Sequence, residues 1–160
     1  MKKLLKSFVY AGKGIAYCLR HERNMRIHFV FMAYLYGYLL IYDFFEISRT
    51  QFAVLLLTCA LVVFGECVNT AIEKCIDAVV DGYNKMAGIS KDAAAGAVLV
   101  AAIFSVLVGV VIMWQPEAFR QLFLYYKEKP YMLIVLTLSL ILSVLFIFKG
   151  DKTGVKKDND

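Results

Sequence analysis

The chain has 160 residues, 61% of them hydrophobic, and a formal net charge of +5. That length suits one domain, and the apolar content lies well above the roughly 45–50% of soluble domains. The basic residues flank apolar runs instead of forming a soluble basic surface, so no nucleic-acid partner is expected.

Residues 3–23 have helical period. Leu5, Phe8, Gly12, Ile15, Ala16 and Leu19 share one side, and Lys3, Lys6, Tyr10, Lys13, Tyr17 and Arg20 share the other. This pattern predicts a basic amphipathic helix lying in the inner membrane interface. It lacks the early apolar core and small-residue cleavage site of a signal peptide, so no removal is expected.

A helix needs about 20 mostly apolar residues to cross a bilayer. Spans are expected at about 27–44, 50–81, 91–114 and 131–148, the first being short and rich in Tyr. Between the first two, "YDFFEISRT" turns outside, with Ser48 or Thr50 as N-cap of the second span. The second span runs without Pro to Asp81. At 1.5 Å per residue its length is about 46 Å against a hydrocarbon core near 30 Å, so its end overhangs into water.

In the loop that follows, "DGYNKMAGISKDAAAG", Gly82 and Gly88 mark turns. Ser90 is the expected N-cap of the third span, with Lys91 and Asp92 in its first turn. A helix N-terminus with a lysine suits phosphate. The small run from Ala93 to Ala97 permits close helix approach. Residues 115–130 read as an aromatic outer loop, and 149–160 as a polar, disordered cytoplasmic tail. Lys and Arg number 14 in segments 1–26, 74–91 and 149–160 against 4 in the intervening loops. The positive-inside rule therefore places both termini in the cytoplasm.

Cys59, Cys67 and Cys75 recur every eight residues on one helix. Neighbours there are about 12 Å apart, so they cannot pair with one another. With Cys18 they form no metal-ligand spacing, and all four are read as small packing residues.

The charged end of the second span carries the chemistry. Taking Glu66 as zero on a helical wheel, Asn69 falls near about −60°, Thr70 near +40°, Glu73 near −20° and Asp77 near +20°. Three carboxylates therefore share one stripe that starts at hydrocarbon depth. Ionisable groups in a membrane span mark a functional site by default. Hard oxygen donors suit Mg²⁺, which takes one or two carboxylates together with phosphate oxygens. Glu22, just before the first span, could supply a second ligand. The competing reading is a solvated helix end paired with Arg20, Arg23, Arg26 or Lys74. No phosphate-binding GxxxxGK[ST] loop or Ser/His or Cys/His pairing occurs, and His21 and His28 are read as interfacial side chains.

"ECVNTAIEKCID", Glu66 to Asp77, fits at every specified position the pattern E-x-[aliphatic]-N-[ST]-[SA]-[aliphatic]-E-x-x-[aliphatic]-D. With "GKG…HERNMRIH" and "KDAAAGAVL", it resembles the small integral-membrane lipid kinases of bacteria, the prokaryotic diacylglycerol kinase and undecaprenol kinase family. The resemblance covers about residues 5–114. It implies an all-α integral membrane fold with a surface helix and three spans, to which this chain adds a fourth. It implies Glu66 as general base, Glu22 and Glu73 as metal ligands, and Lys91 and Asp92 as nucleotide contacts. Tyr10, Asp77, Gly82, Tyr83 and Asn84 match positions around the nucleotide, and Asn69 and Ala95 border the lipid. ATP as co-substrate, Mg²⁺, a lipid alcohol, a homotrimer with sites between subunits, and the bacterial cytoplasmic membrane follow from the same likeness. The forms "RHERNMRIH" and "KDAAAGAVL" are closer to undecaprenol kinases than to diacylglycerol kinases. A cation-conducting oligomer and a non-catalytic scaffold are the competing classes.

Overall fold

A computed structural model describes residues 2–149, which form six helices and no strand. They are α1 (Lys2–His21), α2 (Arg23–Ile41), α3 (Arg49–Val79), α4 (Lys85–Met113), α5 (Pro116–Glu128) and α6 (Pro130–Phe148). The all-α expectation therefore holds. The tail expected to be disordered lies, from residue 150 on, outside the described residues.

Local chemistry sets the helix ends. Ser48 caps α3 in a reciprocal box: its hydroxyl accepts from the Gln51 N–H, and the Gln51 side chain accepts from the Ser48 N–H. After α3, Gly82 takes a φ of 77°, a left-handed conformation that glycine adopts without a Cβ penalty. Asn84 Oδ1 then accepts from the Met86 and Ala87 N–H groups and starts α4.

That cap corrects the expected start of the third span. Ser90 is not the N-cap; its hydroxyl donates to the Met86 carbonyl at 2.9 Å, inside the helix. Lys91 and Asp92 thus stand beyond the first turn of α4, away from its free N–H groups. Lys85, Met86 and Ala87 are good helix formers, and an Asn with two backbone acceptances begins the helix earlier.

The outer loop expected at 115–130 is also corrected, because most of it is α5. Pro116 sits at the first helical position, Glu117 in the first turn and Lys127 in the last, each where backbone geometry or the dipole favours it. Arg120 pairs with Glu117 through two hydrogen bonds of 2.9 and 2.7 Å. The guanidinium holds the Glu117 carboxyl below its ordinary range.

α3 is the centre of the fold. It packs most extensively on α4 and also touches α1 and α2, and α6 packs on α2. Gly65 marks the close approach of α3 and α4: a Cβ there would lie 3.5 Å from Val98 Cγ2. α2 runs antiparallel to α3 and α6: Tyr36 near the C-terminal end of α2 donates to the Leu55 carbonyl near the start of α3, Tyr34 bonds Ser139 and Ser143 of α6, and Arg26 near the start of α2 reaches Ile147 at the end of α6. Among the described residues, α3, α4 and α6 are long and apolar enough to cross a membrane. The 19-residue α2 is not among them, since Arg23, Arg26, His28 and three tyrosines dilute its apolar run, yet it lies along α3. α1 keeps Leu4, Leu5, Phe8 and Val9 exposed, as a helix lying in an interface would.

Candidate active site

The C-terminal half of α3 carries the stripe as helical spacing predicts. Glu66 is only 3% exposed, at the same level as Thr70, whose hydroxyl donates to the Glu66 carbonyl at 2.9 Å. One turn further, Asn69 Nδ2 donates to Glu73 Oε1 at 2.8 Å, while Asn69 Oδ1 is buried without a partner. Glu73 is half-buried and Asp77 exposed, so the stripe climbs from protein interior to water.

Two nitrogen side chains meet this stripe, and a third, Arg26, does not. His28 Nε2 lies 3.3 Å from Glu66 Oε1, across the α2–α3 contact. Sequence reasoning missed this residue. The available signal was that a carboxylate at hydrocarbon depth needs a partner, and His28 is the ionisable group of α2 nearest the apolar run. Lys91 of α4 pairs with Asp77 of α3, tying the C-terminal end of α3 to the N-terminal part of α4. Arg26 goes elsewhere. It is 4% exposed and donates to the carbonyls of Leu19, Arg20 and Ile147. Those carbonyls belong to the C-terminal turns of α1 and α6, where backbone acceptors lack helical partners. Arg26 therefore does not neutralise the stripe, whereas Lys74 lies close enough to Asp77 to favour its charge.

The other expected site residues are spread around this centre. Glu22 occupies the corner between α1 and α2, half-buried, without capping α2. Tyr10 is 66% and Tyr83 96% exposed, and Asp92 and Ala95 are exposed on α4. No hydrogen bond among the described residues ties Glu22, Tyr10, Tyr83 or Asp92 to the stripe. Asn84 spends its Oδ1 on the α4 cap. All four cysteines are free, and the thiols of Cys67 on α3 and Cys18 on α1 are neighbours.

Among the described residues no three His, Cys, Asp or Glu side chains form a ready-made metal centre. The donors that do exist are hard oxygens. Glu73 and the orphaned Asn69 Oδ1 stand side by side, a set that fits Mg²⁺, which keeps waters and substrate oxygens as its other ligands. On the opposite side of His28 and Glu66 lies an apolar cavity of about 640 Å³, bounded by α2, α3, α4 and α5.

A bundle with three apolar helices of membrane-crossing length, whose central helix carries a buried carboxylate and a polar stripe, defines a membrane protein. Residues 9–113 match the sequence model of prokaryotic diacylglycerol kinase, and the chain belongs to that family. It is 42% identical over 115 residues to a protein of Synechocystis named diacylglycerol kinase, covering 71% of this chain and 63% of that protein. It is 36% identical over 112 residues to a Bacillus subtilis protein named undecaprenol kinase, covering 70% of this chain and 89% of that one. The chain thus spans less than two thirds of the Synechocystis relative. No solved structure matches it. α5 and α6 lie beyond the residues that the family description covers.

Proposed function

We propose that the protein is a lipid kinase that transfers the γ-phosphate of ATP to the hydroxyl of a membrane lipid alcohol, undecaprenol in preference to diacylglycerol. The observation that carries this reading is Glu66: a carboxylate 3% exposed, paired with His28, where an apolar cavity meets a polar stripe leading to water. A lipid hydroxyl arrives there from the hydrocarbon side, and a nucleotide arrives from the other.

Glu66 accepts the hydroxyl proton. The hydroxyl oxygen attacks the γ-phosphorus, the bond to the β-phosphate oxygen breaks, and ADP leaves. His28 holds Glu66 in place and supplies positive character beside it when protonated. Glu73 and Glu22 would hold Mg²⁺, which when bound neutralises phosphate charge. Lys91 and Asp92, with Tyr10, Asp77, Gly82, Tyr83 and Asn84, border the nucleotide on the cytoplasmic rim. Because Lys91 is already paired with Asp77, phosphate meets an ion pair there instead of a free ammonium. Asn69 and Ala95 border the lipid. The enzyme works as a homotrimer in the bacterial cytoplasmic membrane with both termini inside, in keeping with its basic inner segments.

The relative named undecaprenol kinase is matched over most of its length, which supports that substrate. The higher identity to the protein named diacylglycerol kinase favours the second reading, with phosphatidic acid as product. Purified protein with Mg-ATP should phosphorylate both lipids if offered separately, undecaprenol with the larger kcat/KM. Glu66→Gln and Glu73→Gln should each lower kcat by about 10²-fold or more while assembly is preserved. Full activity in Glu66→Gln would remove the base assignment, and no transfer to either lipid would remove the kinase reading.

A further inference from the structure

The cavity beside Glu66 has a shape that the transfer reaction alone does not require. α2 and α4 both pack on α3 with their backbones further apart from each other, which leaves a cleft between them. Its walls are Phe31 and Leu35 of α2, Leu55 and Val62 of α3, and Ala102 and Val106 of α4. At its inner end stands His28, in contact with the Glu66 carboxylate. From Ala102 to Trp114 the cleft follows α4 for about 18 Å at helical rise.

The outer end is closed by the chain's own C-terminal addition. Trp114, Phe119 and Leu122 line the cavity there, together with Phe45 from the turn between α2 and α3. Phe119 stacks edge-on against Phe45 and Trp114, with ring centroids 5.8 and 6.3 Å apart. This stopper is held in place. Gln115 accepts from the Glu46 N–H at 3.0 Å and donates to the Glu46 carbonyl at 3.1 Å. The hydroxyls of Tyr38 and Tyr126 meet at 2.5 Å, and α5 in turn rests on α6.

We propose that this cleft holds the stretch of hydrocarbon chain next to the lipid hydroxyl, and that α5 is a specificity element which stops the chain at the outer end. The proposal rests on the lipid-kinase reading of Glu66. The occupant follows from continuity: an apolar trough with its polar end at a buried carboxylate fits an amphiphile with one hydroxyl. A chain too long for the trough leaves through the open side between α2 and α4 into the bilayer. Only the first part of the tail is therefore read, and longer tails gain nothing further from the site.

Gly109 supplies the test. It lines the cavity, and a Cβ built on it meets nothing within 4 Å, so a larger side chain enters the empty space without displacing backbone. Primary alcohols with tails of increasing length, all in one detergent, would be assayed as substrates of the full-length wild type and Gly109→Leu. For wild type, kcat/KM should rise with tail length and level off once the chain reaches α5. In Gly109→Leu the levelling should come at a shorter tail, and the longest substrates should lose roughly tenfold, the worth of about two buried methylenes. The shortest alcohols should be unaffected. In parallel, a lipid alcohol with a photoreactive diazirine at mid-tail should crosslink to residues 106–122.

An unchanged length profile in Gly109→Leu overturns the proposal. So does labelling elsewhere while phosphate is still transferred, and the kinase reading then stands. Labelling of 106–122 without any phosphate transfer supports the cleft as a tail site and removes the kinase reading instead. If a photoreactive amino acid at Val106 crosslinks a second copy of the chain and no lipid, the cleft is a subunit contact and the proposal falls.

Discussion

Glu66 is a carboxylate almost wholly removed from water, 3% exposed. Removing a carboxylate from water costs several kcal/mol unless a partner offsets it, and His28 at 3.3 Å is placed to do so. Truncating His28 leaves the buried carboxylate without that neighbour. His28→Ala should therefore lower kcat for the lipid by about 10²-fold, the usual worth of a positioned acid–base partner. The KM for ATP should change little, because the proposed nucleotide site lies on the Glu73 side. Steady-state kinetics with each substrate varied in turn would check this, and an equal loss in both KM values would argue for general damage. The stripe itself was legible, because 100° per residue places Glu66, Asn69, Glu73 and Asp77 on one face whatever surrounds them. His28 was not, because periodicity relates residues on one helix and says nothing about which residue of another helix arrives opposite.

At the scale of elements, α3 was read almost to the residue. Its start depends on Ser48 and Gln51, which satisfy each other's backbone donors. Ser48→Ala should destabilise the protein by about 1 kcal/mol, measured by denaturant titration in micelles, and Ser48→Asp should restore most of it. Loss of activity without loss of stability would contradict a purely capping role. α4 and α5 were read less well, for separate reasons. Ser90 and Asn84 are both good N-caps, and the choice fell to Asn84 because Gly82 turns the chain so that residues 84–87 meet its side chain. α5 is amphipathic and aromatic, and composition alone does not separate such a helix from an aromatic loop. Only Pro116 at its first position signalled a helix in advance.

At the scale of the whole molecule, Arg26 ties three helices together where α1 and α6 end beside the start of α2. It sits in α2 and satisfies the last carbonyls of α1 and of α6. Replacing it with Ala would leave those acceptors buried, and hydrogen bonds from a charged donor are worth about 1.5–3 kcal/mol each. Arg26→Ala should thus cost about 3 kcal/mol in unfolding free energy, and Arg26→Lys should recover only part, since Lys lacks the planar fork that reaches several acceptors at once. Because Glu22 stands at the corner that Arg26 braces, the same variant should weaken activity more than Ser48→Ala does at equal loss of stability.

The sequence by itself determined the helical class, three runs long and apolar enough to cross a membrane, the family motif and the shared face of the carboxylates. These depend on local periodicity and on helix length, which neighbouring elements do not alter. The tertiary structure alone decided that His28 meets Glu66, that Arg26 serves carbonyls instead of carboxylates, that Lys91 pairs with Asp77, and that α5 closes a cavity between α2 and α4. Each of these joins groups on separate helices, and the packing of those helices, through contacts such as Gly65 on Val98, sets which side chains come within reach. "GECVNTAIEKCIDAVVD" thus spelled out the stripe, while its partner and its cavity were supplied from elsewhere in the fold.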